Sequence, residues 1–181
     1  SSQRFLFRYP GLRTSQPIML EMIQYYLRSL FFARKIRFNR EFLGAYSRYR
    51  DIMDEIGLDD HVIGLRDLRL EVSYIYQLTL FFQHELERIK PRLVFMVPYC
   101  GYSGTAMTYV CNKLSIVSID IQHGVQGDYH PAYSSFTNLS GKAYNTLPKV
   151  FLTWSETERN NINKWAAKTD SIRAIVLGNL Y

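Results

Sequence analysis

From residue 92 onward, short β-branched runs alternate with amphipathic stretches, and few folds accept that rhythm. Residues 93–97 form an apolar run, and 101–114 pass from a loop into a helix with Ala106, Val110 and Leu114 at i, i+4 and i+8. Residues 116–121 form a second run, in which Ser118 and Asp120 are the only polar members. A third run follows at 150–153, a helix at 156–167 and a fourth run at 173–177. Strand, helix, strand, loop, strand, helix, strand predicts an α/β fold: a Rossmann-like parallel sheet flanked by helices, with helices enough to cover both faces.

The ninety residues ahead of that section read as helical. Residues 4–9 are a short strand or arm closed by Pro10-Gly11, and Thr14 or Ser15 can cap a helix that opens near Pro17 and runs over 18–38. A second helix over 41–56 ends at Gly57, a good residue just past a helix end, and carries Phe42, Tyr46 and Tyr49 on one face. A third, over 68–90, is stopped by Pro91 and turns Val72, Ile75, Tyr76, Leu78, Thr79, Phe82 and Leu86 inward. At 181 residues the expectation is a single domain, with a mainly helical section at 1–90 and a βα-repeat section at 91–181.

The composition, 47% apolar and 21% charged, is that of a globular chain. Cys100 and Cys111 are lone thiols without metal-site spacing, which fits a reducing compartment. The longest uncharged run, 93–112, is broken by Pro98, Gly101, Ser103 and Gly104 and so reads as strand, loop and helix, not as a membrane span. Charge is uneven. Residues 1–50 carry ten Arg and Lys against Glu21 and Glu41, a net +8, so the rest of the chain sums to −2. A basic third fits an anionic membrane surface, or simply a solvated face on ordinary helices. Nucleic-acid binding is disfavoured, because no standard motif accompanies the charge.

Function concentrates after the second strand. At Gln122 the apolar pattern gives way to His123, Gly124, Gly127, Asp128, Tyr129, His130 and Pro131, the start of a loop over 122–148 rich in Tyr, Ser, Asn and Gly. A long polar loop leaving the carboxyl end of a parallel strand is where α/β proteins bind ligands. His123 suits a general base, since histidine titrates near neutral pH, or it is held by backbone and supports the loop. Gly124 and Gly127 allow positive φ and close approach of a ligand. Asp128 can orient a histidine or accept sugar hydroxyls, or simply form a turn before Pro131; Tyr129 can stack on a sugar ring. His123, His130 and Asp128 match no standard zinc spacing, so no metal is expected.

Two further loops leave the same end of the sheet. Residues 98–105 place Tyr102, Ser103 and Gly104 at a helix start, where Ser103 or Thr105 can cap; the stretch has neither the lysine of a P-loop nor a dinucleotide fingerprint. After the third strand come Trp154 and Glu156, with Ser155 and Glu158 spaced as a capping box.

The stretch 120–133, Asp-Ile-Gln-His-Gly-Val-Gln-Gly-Asp-Tyr-His-Pro-Ala-Tyr, together with 147–155 and Val176-Leu177-Gly178-Asn179, resembles the N-terminal, acceptor-side domain of bacterial GT-B glycosyltransferases of surface polysaccharide biosynthesis. The strand followed by Gln-His-Gly also resembles the His-Gly loop of teichoic-acid glycerophosphotransferases, where the histidine acts as base; His123 is the matching position. The likeness covers about residues 91–181, and the first ninety match no family.

The resemblance implies a nucleotide-sugar donor, a glycan or lipid-linked acceptor, no cofactor, and a cytoplasmic location peripheral to the inner face of the membrane. It places most of the donor site in a second Rossmann-like domain, so the expectation is that this sequence is a fragment, inactive alone, whose donor-binding domain is missing. His123 is then the catalytic base, with Gln122, Gly124, Gly127, Asp128, Tyr129, His130, Tyr102, Ser103, Gly104, Trp154 and Glu156 around the substrates. The competing readings are a non-catalytic glycan-binding module, a sugar-nucleotide epimerase and a polyol-phosphate transferase.

Arg34, Lys35, Arg37 and Arg40 are expected to give weak, salt-sensitive attachment to anionic vesicles, at about 1 kcal/mol per residue near the surface. Liposome co-sedimentation at low and high salt measures it, and no binding at low salt would refute it.

Overall fold

The computed structural model describes residues 18–127, 129–134, 136, 139 and 144–179, with side chains from residue 23 onward. In chain order the elements are α1 (Ile18–Phe32), a 3-10 turn (Ala33–Lys35), α2 (Arg40–Glu55), a second 3-10 turn (Asp59–His61) and α3 (Leu65–Ile89). There follow β1 (Leu93–Met96), α4 (Tyr102–Lys113), β2 (Val117–Ile121), β3 (Val150–Thr153), α5 (Glu156–Ala166) and β4 (Arg173–Val176). The alternation read from residue 92 onward is present, with no boundary displaced by more than one residue. The expected arm at 4–9 and the Thr14 or Ser15 cap lie outside the described residues.

Local chemistry accounts for the helix ends. Asn39 caps α2, its Oδ1 accepting the Phe42 N–H at 2.7 Å. Past the other end, Gly57 takes φ +71°, the left-handed residue that the sequence placed there. α3 ends at Lys90, also left-handed at φ 53°, next to Pro91, which has no N–H with which to continue the helix. α1 is shorter than expected and tightens into the 3-10 turn at Ala33. Arg34, Lys35, Arg37 and Arg40 around that turn are all exposed.

The inward face of α3 differs from the expected one. Leu78 and Leu86 are buried as expected and Ile75, Thr79 and Phe82 half-buried, but Val72 and Tyr76 are 40% and 44% exposed, and Ser73, Gln77 and Phe81 are buried in addition. The reason is close contact with α1 across two small residues, where the Ser73 hydroxyl donates to the Ser29 carbonyl at 2.7 Å. Tyr76 stacks instead on Phe32, centroids 4.9 Å apart. On α2, Phe42 and Tyr46 continue a stack begun by Phe38, whereas Tyr49 is exposed, so the expected aromatic face is two residues long.

The four strands are parallel and lie in the order β1-β2-β3-β4, with Met96 opposite Asp120, Asp120 opposite Phe151 and Phe151 opposite Ala174. A sheet that grows in one direction by right-handed crossovers puts every connection on the same side. That side holds the core. Phe151 meets Tyr99, Tyr133 and Trp165 edge-on, and Ile162, Ile172 and Ala174 close around them. A second cluster, Leu86 with Val110 and Cys111, joins α3 and α4 to Val94. Its burial pushes the Cys111 thiol up to about 11.

The opposite face carries Leu93, Phe95, Val97, Val117, Ile175 and Leu177, each between 37% and 56% exposed, while Ile119 and Val150 at its centre are buried. The expectation of helices on both faces is therefore corrected: among the described residues, helices cover one face only. No described helix is long and apolar enough to cross a membrane.

α4 is pressed against the turn that feeds it. A Cβ built on Gly104 would lie 2.2 Å from the Pro98 carbonyl oxygen and 2.5 Å from that of Tyr99, both backbone atoms. Gly104→Ala is expected to cost about 1–3 kcal/mol by overpacking, read as a lowered urea midpoint at unchanged m-value.

Candidate functional site

Parallel pairing brings the carboxyl ends of β1, β2 and β3 to one edge of the sheet, and the turn after β1, the loop after β2 and the turn before α5 all leave from there. The structure thus sets the loops that carry Gly101, His123 and Trp154 side by side in the sheet's order. The loop after β2 is anchored by Gln122, which is 2% exposed. Its Nε2 donates to the Gly124 carbonyl at 2.9 Å and to Glu158 Oε1 at 3.0 Å, and its Oε1 accepts the Trp154 N–H at 2.6 Å. Its backbone N–H continues the sheet to Leu152 O at 2.9 Å. The amide is occupied at both ends by the protein, so Gln122 holds the loop from inside.

Glu158 closes this arrangement as the sequence foresaw. Its Oε2 accepts from the Ser155 N–H at 2.8 Å and the Ser155 hydroxyl at 2.6 Å, a capping box at the start of α5. Burial alone would push its carboxyl up. The hydrogen bonds from Ser155 and Gln122 together outweigh that and hold it below the usual range.

On this anchor His123 stands exposed, and among the described residues no hydrogen bond orients its ring. Gly127 is also exposed, and Gly124 half-buried. Neither adopts positive φ, which among the described glycines belongs to Gly57 and Gly178, so the left-handed backbone that the two glycines allow is not used here. A Cβ on Gly124 or Gly127 would meet nothing within 4 Å, so their value here is open space beside the imidazole.

The remaining residues divide. Tyr129 is 96% exposed, its ring free for an incoming apolar surface. His130 serves the fold: its Nδ1 accepts the Ala132 N–H at 3.2 Å and its ring lies edge-on to Tyr133, centroids 4.9 Å apart. Asp128, and with it the weighed metal set, lies outside the described residues. Tyr102 turns to α3, its hydroxyl donating to Glu71 Oε1 at 2.9 Å and its ring edge-on to Tyr74. Ser103 is exposed on the first turn of α4, whose N-cap is Gly101, so neither Ser103 nor Thr105 is the cap. Gly104 is buried by helix packing. Trp154 is half-buried, and Glu156 is exposed and paired with Arg159 at 2.5 Å.

Sequence reasoning passed over one group, Asp120. It is 1% exposed, directly beneath the loop, with Oδ1 accepting the Tyr99 N–H at 3.0 Å. The Tyr133 hydroxyl is near enough to influence its ionisation, yet the pair falls short of hydrogen-bond geometry. Asp120 Oδ2 and Tyr133 Oη are both buried without a partner. Desolvation pushes the Asp120 carboxyl up to about 7, and raises Tyr99 and Tyr133 above the ordinary phenol range. The available signal was a lone acid between isoleucines in a strand.

A cavity of ≈ 640 Å³ lies at the other, amino end of the strands, lined by Ile116, Val117, Lys149, Val150, Ile172 and Arg173. Ligands of parallel sheets sit beyond the carboxyl ends, which favours the His123 edge over this cavity. Comparison with protein-family models, with curated proteins and with solved structures returns no match to the chain.

Asp120 makes stability depend on pH. Folded, it holds its proton at about 7; unfolded, the proton leaves near the ordinary value of 3.8. Its contribution is therefore full below about pH 4 and is lost as pH climbs to about 7. Unfolding free energy is expected to fall by about 2–3 kcal/mol from pH 5 to 7.5, and Asp120→Asn to flatten that slope, as chemical denaturation at the two pH values would measure.

Proposed function

We propose that this chain is the acceptor-side domain of a GT-B glycosyltransferase, acting on a nucleotide-sugar donor and a glycan or lipid-linked acceptor. The observation that carries the reading is the exposed His123, displayed on a loop that Gln122 fixes at the carboxyl end of β2. An acceptor hydroxyl arriving over Gly124 and Gly127 gives its proton to the imidazole. The freed oxygen attacks the donor's anomeric carbon, and the bond to the nucleoside diphosphate breaks with its electron pair on phosphate. Tyr129 offers a ring to a sugar face. Trp154, fixed through its N–H to Gln122, stands at the neighbouring strand end.

One observation favours a second reading. His123 has no orienting partner among the described residues, whereas a free aromatic and a rigid loop suffice for a glycan-binding module. The two readings part on chemistry. With the protein in its full natural length, His123→Ala is expected to lower transfer or hydrolysis of nucleotide sugars by about 10²–10⁴-fold with the thermal transition unchanged. Glycan retention without turnover in either form would establish the module and refute the transferase.

A further inference from the structure

Among the described residues, Asp120 is the only buried carboxylate, and the helix caps and ion pairs make no use of it. It stands where two loops meet. From the turn after β1, Tyr99 gives its backbone N–H to Asp120 Oδ1, and its hydroxyl reaches over to donate to the Ala132 carbonyl in the loop after β2. Tyr133, next along that loop, lies edge-on to the Tyr99 ring at 5.5 Å and is held by Trp165, whose Nε1 donates to the Tyr133 carbonyl at 2.9 Å. The turn after β1 has no room to retreat, because Gly104 already brings the first turn of α4 against the Pro98 and Tyr99 carbonyls. That turn is gripped between Asp120 below and α4 beside it.

We propose that Asp120 is a positioning residue of the candidate site: from beneath, its carboxyl holds the Tyr99 backbone, and through the Tyr99 hydroxyl on the Ala132 carbonyl it joins the turn after β1 to the loop that carries His123 and thereby sets where the imidazole stands. The functional half of this inference rests on the catalytic reading of His123; the contacts do not. The groups that face Asp120 are few. Tyr99 and Cys100 approach from the turn after β1 and Tyr133 from the loop after β2, while its register neighbours on the flanking strands, Met96 and Phe151, carry no charge. No cation or second carboxylate acts on it. The spare atoms, Oδ2 and Tyr133 Oη, are buried together. A protonated Oδ2 can donate to the phenol oxygen, and an ionised one can only accept from it, so the charge state decides how the two loops join.

The test compares wild type with Asp120→Asn, which keeps the Oδ1 acceptor and a donor in place of Oδ2, and with Asp120→Ala, which keeps neither. Amide exchange by NMR is expected to leave Tyr99 protected in the Asn variant and to expose it at least about tenfold in the Ala variant. In wild type, the Tyr99 amide signal, whose N–H bonds the carboxyl directly, should shift in one step with a midpoint near the carboxyl's value of about 7. That step should be missing from Asp120→Asn.

Turnover of nucleotide sugar in Asp120→Ala should fall by about 10²-fold in kcat with donor KM within about twofold, the signature of a displaced catalytic group. Unchanged Tyr99 protection in a folded Ala variant, or unchanged kcat in it, would overturn the proposal. If Asp120→Ala does not fold, a flat Tyr99 shift in wild type from pH 5 to 8.5 overturns it equally. A wild type without turnover would sink the transferase reading, and the amide measurements would still decide whether Asp120 joins the loops.

Discussion

The primary amide of Gln122 is the joint on which the carboxyl edge of the sheet depends. Three partly buried polar groups converge there: the Gly124 carbonyl, the Trp154 N–H and one oxygen of Glu158. An amide carries an acceptor and a two-hydrogen donor on adjacent atoms, so one side chain can answer all three. A hydrocarbon of similar volume would leave them without this partner, and a glutamate would bring a second negative charge against Glu158. The same bonds fix the backbone on both sides of His123. The rigidity of the candidate site is therefore a by-product of buried hydrogen-bond accounting.

Polar residues on the packed side of the sheet follow one logic. Ser118, Asp120 and Gln122 alternate along β2 toward the helices, and all three are buried. Ser118 Oγ accepts the Lys149 N–H, Asp120 accepts from Tyr99, and Gln122 receives Trp154. Each tethers a neighbouring connection to the strand, at 3.3, 3.0 and 2.6 Å in turn toward the carboxyl end. The apolar positions between them, Val117, Ile119 and Ile121, lie on the opposite face, where Ile119 is buried and Ile121 half-buried. The strand thus turns its polar side chains toward the helices and its apolar ones to the opposite face. One-directional strand order produces this arrangement, since it sends every loop that needs tethering to the same side.

That arrangement explains what was legible in the sequence. Runs such as Val150–Thr153, the capping box at Ser155 and Glu158, and the glycine after α2 signal themselves locally, and the structure places them where pattern and propensity put them. The covering of the sheet was not legible, because strand order is a long-range property and helix periodicity says nothing about which face a helix reaches. The inward face of α3 was misjudged for a related reason. Ser73 wins a buried position through close packing on Ser29, which hydrophobicity alone does not reveal. At the candidate site, polar residue type located the loop, but could not separate Gln122 and His130, turned to internal bonds, from His123 and Tyr129, left free. Gly104 looked like a ligand-facing glycine and is required by a backbone contact. Each of these distinctions depends on a partner at least two residues away.

The division within the loop has a physical consequence for chemistry. A base that must meet an acceptor hydroxyl needs a fixed origin and a free tip. Gln122 and the Gly124 carbonyl immobilise the backbone around His123, leaving the two side-chain torsions as its main freedom. Gly124 and Gly127 place no side chain against the ring, so an acceptor can select the rotamer that receives its proton. The cost of choosing one rotamer of so short a side chain is about 1 kcal/mol or less, small beside the roughly 7–11 kcal/mol that positioning can contribute. An unpartnered imidazole on a firmly held backbone is therefore compatible with catalysis, provided the loops beneath it do not shift. The tethers to Gln122 and Asp120 supply that condition.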